Sequence, residues 1–148
     1  VAAQEARLTF MLGGDSADLD AMEPRFLAMG QTLHRLGPFG AGMQAKVLNN
    51  LLAASHTAMT RLVLDWSAHT SLDQDALLRV IDTSSGQNWF ASGFDRIEFA
   101  HDGFAADNSI GILVKDVAAA LDAAPKNADP ALPQTIMTAL RGLKRRDG

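Results

Sequence analysis

Between Met43 and His69, the residues Val47, Leu48, Leu51, Leu52, Ser55, Met59, Leu62, Val63 and Trp66 recur at three- and four-residue steps. That is the period of an α-helix with one apolar stripe. A helix of those 27 residues is about 40 Å long at a rise of 1.5 Å per residue, longer than a small helical domain is wide. Part of it must therefore look outward. Shorter helical segments follow at residues 73–82, around 88–94, at 110–124 and at 133–144. They are separated by Ser84-Ser85-Gly86, by the loop of residues 103–108 and by the stretch of residues 125–130.

The first 36 residues have another character. Leu8 to Leu12 is a compact apolar run closed by Gly13-Gly14, which predicts a buried strand and a tight turn. Asp15 or Ser16 then caps a helix over residues 17–29, with Gly30 as a left-handed stop, and residues 32–35 form a second short strand. A strand-helix-strand unit cannot make a stable sheet alone, so it is expected to complete a sheet whose other strands lie outside this chain. The opening at Val1, in place of Met, with a strand almost at once, reads as a cut or processed end. The expected fold class is mainly α, with a helical domain over residues 37–148 built on a long central helix and preceded by an α/β remnant over residues 1–36.

Composition narrows the function classes. The 148 residues are 47% apolar and 20% charged, the usage of a soluble globular chain. The absence of cysteine excludes a disulfide framework, an iron–sulfur or thiolate zinc site and a cysteine nucleophile, and it fits the cytoplasm. A net charge of −4 argues against nucleic acid as a partner. The one basic cluster, Lys144, Arg145 and Arg146, is read as a solvated helix end. No run approaches the ~18–20 apolar residues of a membrane span. The four histidines, His34, His56, His69 and His101, have no metal-ligand spacing, so no metal site is expected. Trp66, Trp89, Phe90 and Phe94 are read as core or subunit interface.

Lys46 and Asn50 are four residues apart on the long helix and emerge one above the other, off the apolar stripe. An ammonium beside a carboxamide can hold a hydroxyl or carbonyl oxygen, the lysine exchanging its proton and the amide fixing its direction. The helix dipole and desolvation would both push such a lysine's pKa down, toward a general acid/base. By residue type alone, a Lys and an Asn on a helix read as ordinary solvent-facing side chains. The glycines at 37, 40 and 42 either turn the backbone tightly toward a ligand or form a hinge, and their spacing is not that of a dinucleotide fingerprint.

The whole string from Gly37 through Gly40, Gly42 and Lys46 to Asn49-Asn50 closely resembles the motif of the β-hydroxyacid dehydrogenase family, which includes 3-hydroxyisobutyrate dehydrogenases and tartronate semialdehyde reductases. The segment from Leu8 to Asp15 resembles the end of the family's nucleotide-binding domain. Ser84-Ser85-Gly86 resembles its Ser-Gly turn and Lys115-Asp116 its Lys-Asp pair, all in the family's order. The resemblance implies a Rossmann domain followed by a helical domain of the 6-phosphogluconate dehydrogenase C-terminal type. It also implies a catalytic Lys46, a substrate-binding Asn50 and a cofactor-binding Lys115. NAD or NADP would be the cofactor, a small 3-hydroxy acid or its semialdehyde the substrate, and a homo-oligomer the assembly. The family's G-x-G-x-x-G fingerprint and its Ser-Gly-Gly loop are absent from these residues.

The sequence departs from the family at Ser71, where a glycine is usual, at Leu62, where a glutamate is common, and at Asn108, where many members carry an aromatic ring. An amide at 108 would favour a more polar ligand. Retention of Lys46 makes imine reductases of the same superfamily a weaker match. The competing class is a non-catalytic helical dimerisation module, a truncated or degenerate paralogue.

Overall fold

Leu8–Leu12 forms strand β1 and Gly30–Arg35 strand β2, and the two pair in parallel. A parallel pair needs a crossover, which here is helix α1 over Ser16–Leu27. The structure, a computed structural model, describes residues 5–146, and it divides into two compact units with the boundary between Asn49 and Asn50.

In the first unit Asp15 caps α1 as expected, its Oδ1 accepting from the Ala17 N–H at 2.8 Å. Phe26 of α1 packs on Phe10 of β1 with ring centroids 5.1 Å apart. Arg35 at the end of β2 pairs with Asp20 (2.6 Å) and Glu23 (2.5 Å) of α1. Those two carboxylates, Asp20 foremost, hold its guanidinium above the ordinary arginine value. Gly30 is not the expected left-handed stop: its φ is not positive, and it opens β2. A Cβ there would overlap the Leu8 carbonyl oxygen and lie 2.7 Å from the Phe10 ring, so its bareness serves strand pairing.

Gly37 (φ +123°) and Gly40 (φ +93°) make the tight turn into the long helix, a backbone region that disfavours other residues. Gly42, inside the helix, is bare for another reason. A Cβ on it would overlap the Met11 carbonyl oxygen, so the glycine lets the helix entrance lie directly on β1.

The long helix, α2, runs over Ala41–Ser67, and the second unit adds α3 (Gln74–Asp82), α4 (Trp89–Ser92), α5 (Ser109–Asp122) and α6 (Ala131–Gly142). Asp73, Asn88 and Asn108 cap α3, α4 and α5. One apolar cluster joins Ala54 and Ala58 of α2 to Ile110, Leu113, Val114 and Val117 of α5 and Leu140 of α6. A second gathers Leu64, Leu78, Phe90, Ala91, Phe94 and Ala100. The core face of α2 thus consists mostly of small residues, which let α5 approach closely. The large ones look outward: Leu48 is 66% exposed and Trp66 68%, with Leu52, Met59 and Leu62 along the same side.

Of the basic C-terminal cluster, Lys144 and Arg145 are exposed as expected, but Arg146 is not, and none of the three lies on a helix. Helix α6 stops at Gly142, and the residues after it run antiparallel to residues 101–104, with Phe104 N–H on Leu143 O (3.0 Å) and Arg146 N–H on His101 O (2.9 Å). The Arg146 side chain is only 15% exposed, paired with Asp65 and donating to Gln74 Oε1 at 2.7 Å. No helix among the described residues is long and apolar enough to cross a membrane.

Two glycine-to-alanine changes are expected to act with opposite signs in urea unfolding. Gly42→Ala forces α2 off Met11 and lowers stability by about 1–3 kcal/mol, outweighing its helix-propensity gain. Gly142→Ala, with nothing within 4 Å of the added Cβ in the last turn of α6, raises stability by up to about 1 kcal/mol.

Candidate active site

Lys46 and Asn50 both lie on α2, one turn apart and therefore on one face. Asn50 continues toward the N-terminus the side of the helix that carries Thr57, Arg61 and Leu64 into the core. It is half-buried, whereas Lys46 is exposed. The burial expected of Lys46 is not seen, since its side chain is exposed. Among the described residues Lys46 forms no ion pair, which leaves its ammonium available to a substrate oxygen.

Lys115 lies on a different element, α5, and is exposed. Its neighbour Val114 packs in the cluster with Ala54 and Ala58, so α5 runs beside the stretch of α2 that begins one turn after Asn50. Lys115 likewise has no ion pair among the described residues, and its ammonium suits an anionic group such as a phosphate. The β1–α1 turn suits it less. Asp15 fills the helix N-terminus with its own carboxylate, so Gly13-Gly14-Asp15 is a turn and a cap. Among the described residues no group of three His, Asp or Glu is placed to hold a metal.

Asn108 does not point its amide at a ligand. Its Nδ2 donates to Gly103 O at 2.8 Å, and its Oδ1 accepts from Gly111 N–H at 3.0 Å and Ala105 N–H at 3.3 Å. The carboxamide that replaces an aromatic ring here is engaged by the loop and the cap. Ser84-Ser85-Gly86 forms an exposed turn after α3, with Ser84 N–H on Ile81 O at 3.2 Å.

Sequence reasoning missed Arg61. It lies on the core face of α2 with no exposure and donates to three backbone carbonyls: Ala100 and Asp102, both at 2.8 Å, and Lys144 at 2.5 Å. Burial pushes its guanidinium below the ordinary value, opposed by Asp65, deepened by Arg146 and opposed again by Asp102. The available signal was its spacing, four after Thr57 and three before Leu64, on the side of the small residues Ala54 and Ala58.

With this geometry in place, the likeness to known proteins is informative. Residues 40–141 match the family model described as NAD-binding of NADP-dependent 3-hydroxyisobutyrate dehydrogenase. The mitochondrial 3-hydroxyisobutyrate dehydrogenase of Rattus norvegicus is 28% identical over 137 residues, covering 88% of this chain and 41% of that protein. The NAD-dependent L-serine dehydrogenase of Pseudomonas aeruginosa is 40% identical over 82 residues, 55% of this chain and 28% of its own length. Among solved structures, the Mycobacterium tuberculosis 3-hydroxyisobutyrate dehydrogenase with L-serine superposes with a TM-score of 0.75 at 26% identity, covering 93% of this chain and 50% of that one. A 3-hydroxyisobutyrate dehydrogenase from Salmonella typhimurium shares the fold, with a TM-score of 0.74 at 21% identity over 98% of this chain and 53% of its own. The chain spans half or less of the length of most of these relatives. It belongs to the 3-hydroxyisobutyrate dehydrogenase family of β-hydroxyacid dehydrogenases, whose cofactor is NAD or NADP.

Proposed function

We propose that this chain is the C-terminal portion of an NAD(P)-dependent dehydrogenase that interconverts a small 3-hydroxy acid and its semialdehyde in the cytoplasm. Residues 1–36 close the dinucleotide-binding domain in this reading, and residues 37–148 are the helical domain. The observation that carries it is the pairing of an exposed Lys46 with Asn50 on one face of α2, immediately after the glycine turn, in a chain of this family.

In this reading Asn50 holds the substrate's reacting oxygen in one direction. Lys46 donates a proton to that oxygen as the semialdehyde is reduced and takes it back from the hydroxyl in the reverse direction. Bound substrate and the rest of the enzyme supply the dry surroundings that this exposed lysine lacks here. Lys115 contacts the cofactor through its ammonium. NAD or NADP, when bound, supplies or accepts the hydride.

The exposed side of α2, with Leu48, Leu52, Met59, Leu62 and Trp66, supports a homodimer through the helical domain. It equally supports the second reading, a dimerisation module without catalysis. Assay of semialdehyde reduction by the full-length enzyme separates the two.

Three outcomes are expected. In the full-length enzyme, Lys46→Ala costs about 10²–10⁴-fold in turnover, with folding and cofactor affinity retained because the side chain is exposed. Near-normal turnover of the purified variant would defeat the assignment. Residues 1–148 alone bind NAD or NADP more weakly than the micromolar range of about −8 kcal/mol, since the chain has no phosphate fingerprint; isothermal calorimetry reads this directly. Light scattering at tens of micromolar gives a dimer of the 15.8 kDa chain that survives deletion of residues 1–36, and a monomer rejects the interface.

A further inference from the structure

The loop between α4 and α5 is held from three sides. Beneath it, Arg61 donates to Ala100 O and Asp102 O and, with the same guanidinium, to Lys144 O. On its flank runs the segment of residues 143–146. A Cβ on Gly103 would lie 2.7 Å from Arg145 N, so loop and tail are in backbone contact there. At its far end Asn108 joins Gly103 O to the first turn of α5.

The same loop lies on α5 itself. A Cβ on Gly111 would overlap Ala105 O and come within 2.8 Å of Ala106 O, so residues 105–106 rest on the Gly111 turn. Lys115 is four residues after Gly111, on the same face of the helix. Helical side chains lean toward the N-terminus, so the Lys115 stem leans toward the turn on which residues 105–106 rest. Chain links therefore lead from the buried guanidinium through Ala100 and Asp102 to Gly103 and Asn108, and on to the turn that Lys115 leans toward.

We infer that Arg61 is a positioning residue: by clamping Ala100 and Asp102 it sets the residue 103–108 loop that fixes where the Lys115 ammonium meets the cofactor. The inference rests on the reading of Lys115 as the cofactor's contact. Arg61 itself touches neither substrate nor cofactor, and its effect is confined to cofactor binding.

The test is made in the full-length enzyme, with activity expressed per titrated active site, so that misfolded protein drops out of the comparison. Arg61→Met, which keeps volume and removes the donors, raises the KM for NAD or NADP about tenfold while the KM for the hydroxy acid stays within about twofold. Arg61→Lys, which keeps a donor, recovers part of the loss. Lys115→Ala raises the cofactor KM, and adding Arg61→Met to it raises it no further, since both act through one contact. Asn108→Ala cuts the same links at the surface and gives the same non-additive pattern; it decides the matter should Arg61→Met fail to fold. A cofactor KM unchanged in Arg61→Met, or raised equally with and without Lys115, overturns the positioning role alone. An unchanged cofactor KM in Lys115→Ala overturns the reading of Lys115 and the inference with it.

Discussion

A guanidinium with no solvent exposure is costly to bury, and the second unit is organised around meeting that cost. Arg61 offers its donors to three carbonyls from two segments far apart in sequence, residues 100–102 and Lys144. Carbonyls at chain turns lack partners in regular structure, so each hydrogen bond satisfies both sides. Arg146 then lies on the outer side, neutralised by Asp65 one turn after Arg61 on α2. The loop before α5, the end of α6 and the middle of α2 are thus joined through one side chain. Apolar packing alone would leave the loop free to shift along the core.

Helix α2 divides its labour between two faces. Its core side is built from Ala54, Thr57, Ala58 and Leu64, and it seats α5 and the aromatic cluster of Phe90 and Phe94. Its other side keeps Leu48, Leu52, Met59, Leu62 and Trp66 in solvent. A monomeric soluble protein rarely leaves so long an apolar row uncovered. Lys46 stands near the start of the helix, just after the glycine turn and the close approach of Gly42 to Met11.

Elements whose start is fixed by a local group were legible in the sequence. Asp15, Asp73, Asn88 and Asn108 each cap the helix that follows, and the expected helices begin at or within a few residues of them. The Lys46–Asn50 pairing was legible too, because a four-residue step on a helix is geometry. What depended on tertiary partners was not. Gly30 was read as a helix stop, yet it serves the approach of β2 to Leu8. On α2 the large residues carry the visible periodicity, while the small residues of another side are the ones that α5 packs against. The amide of Asn108 was assigned to a ligand, and the loop took it first. Arg61 and Arg146 were ordinary surface cations in the sequence, since nothing local announces the distant carbonyls and carboxylate that receive them.

The reach of that clamp has a temporal side. Arg61 and the Lys144 carbonyl are 83 residues apart along the chain, and Arg146 and Asp65 are 81 apart. A ribosome adding roughly 5–20 residues per second needs several seconds to make such a stretch. Until Lys144 is made, the Arg61 cation lacks one acceptor, and the loop it will hold lacks the backbone of residues 143–146 on its flank. The clamp on this half of the molecule therefore closes only after that stretch has been made, and until then the chain carries a partly satisfied cation on α2.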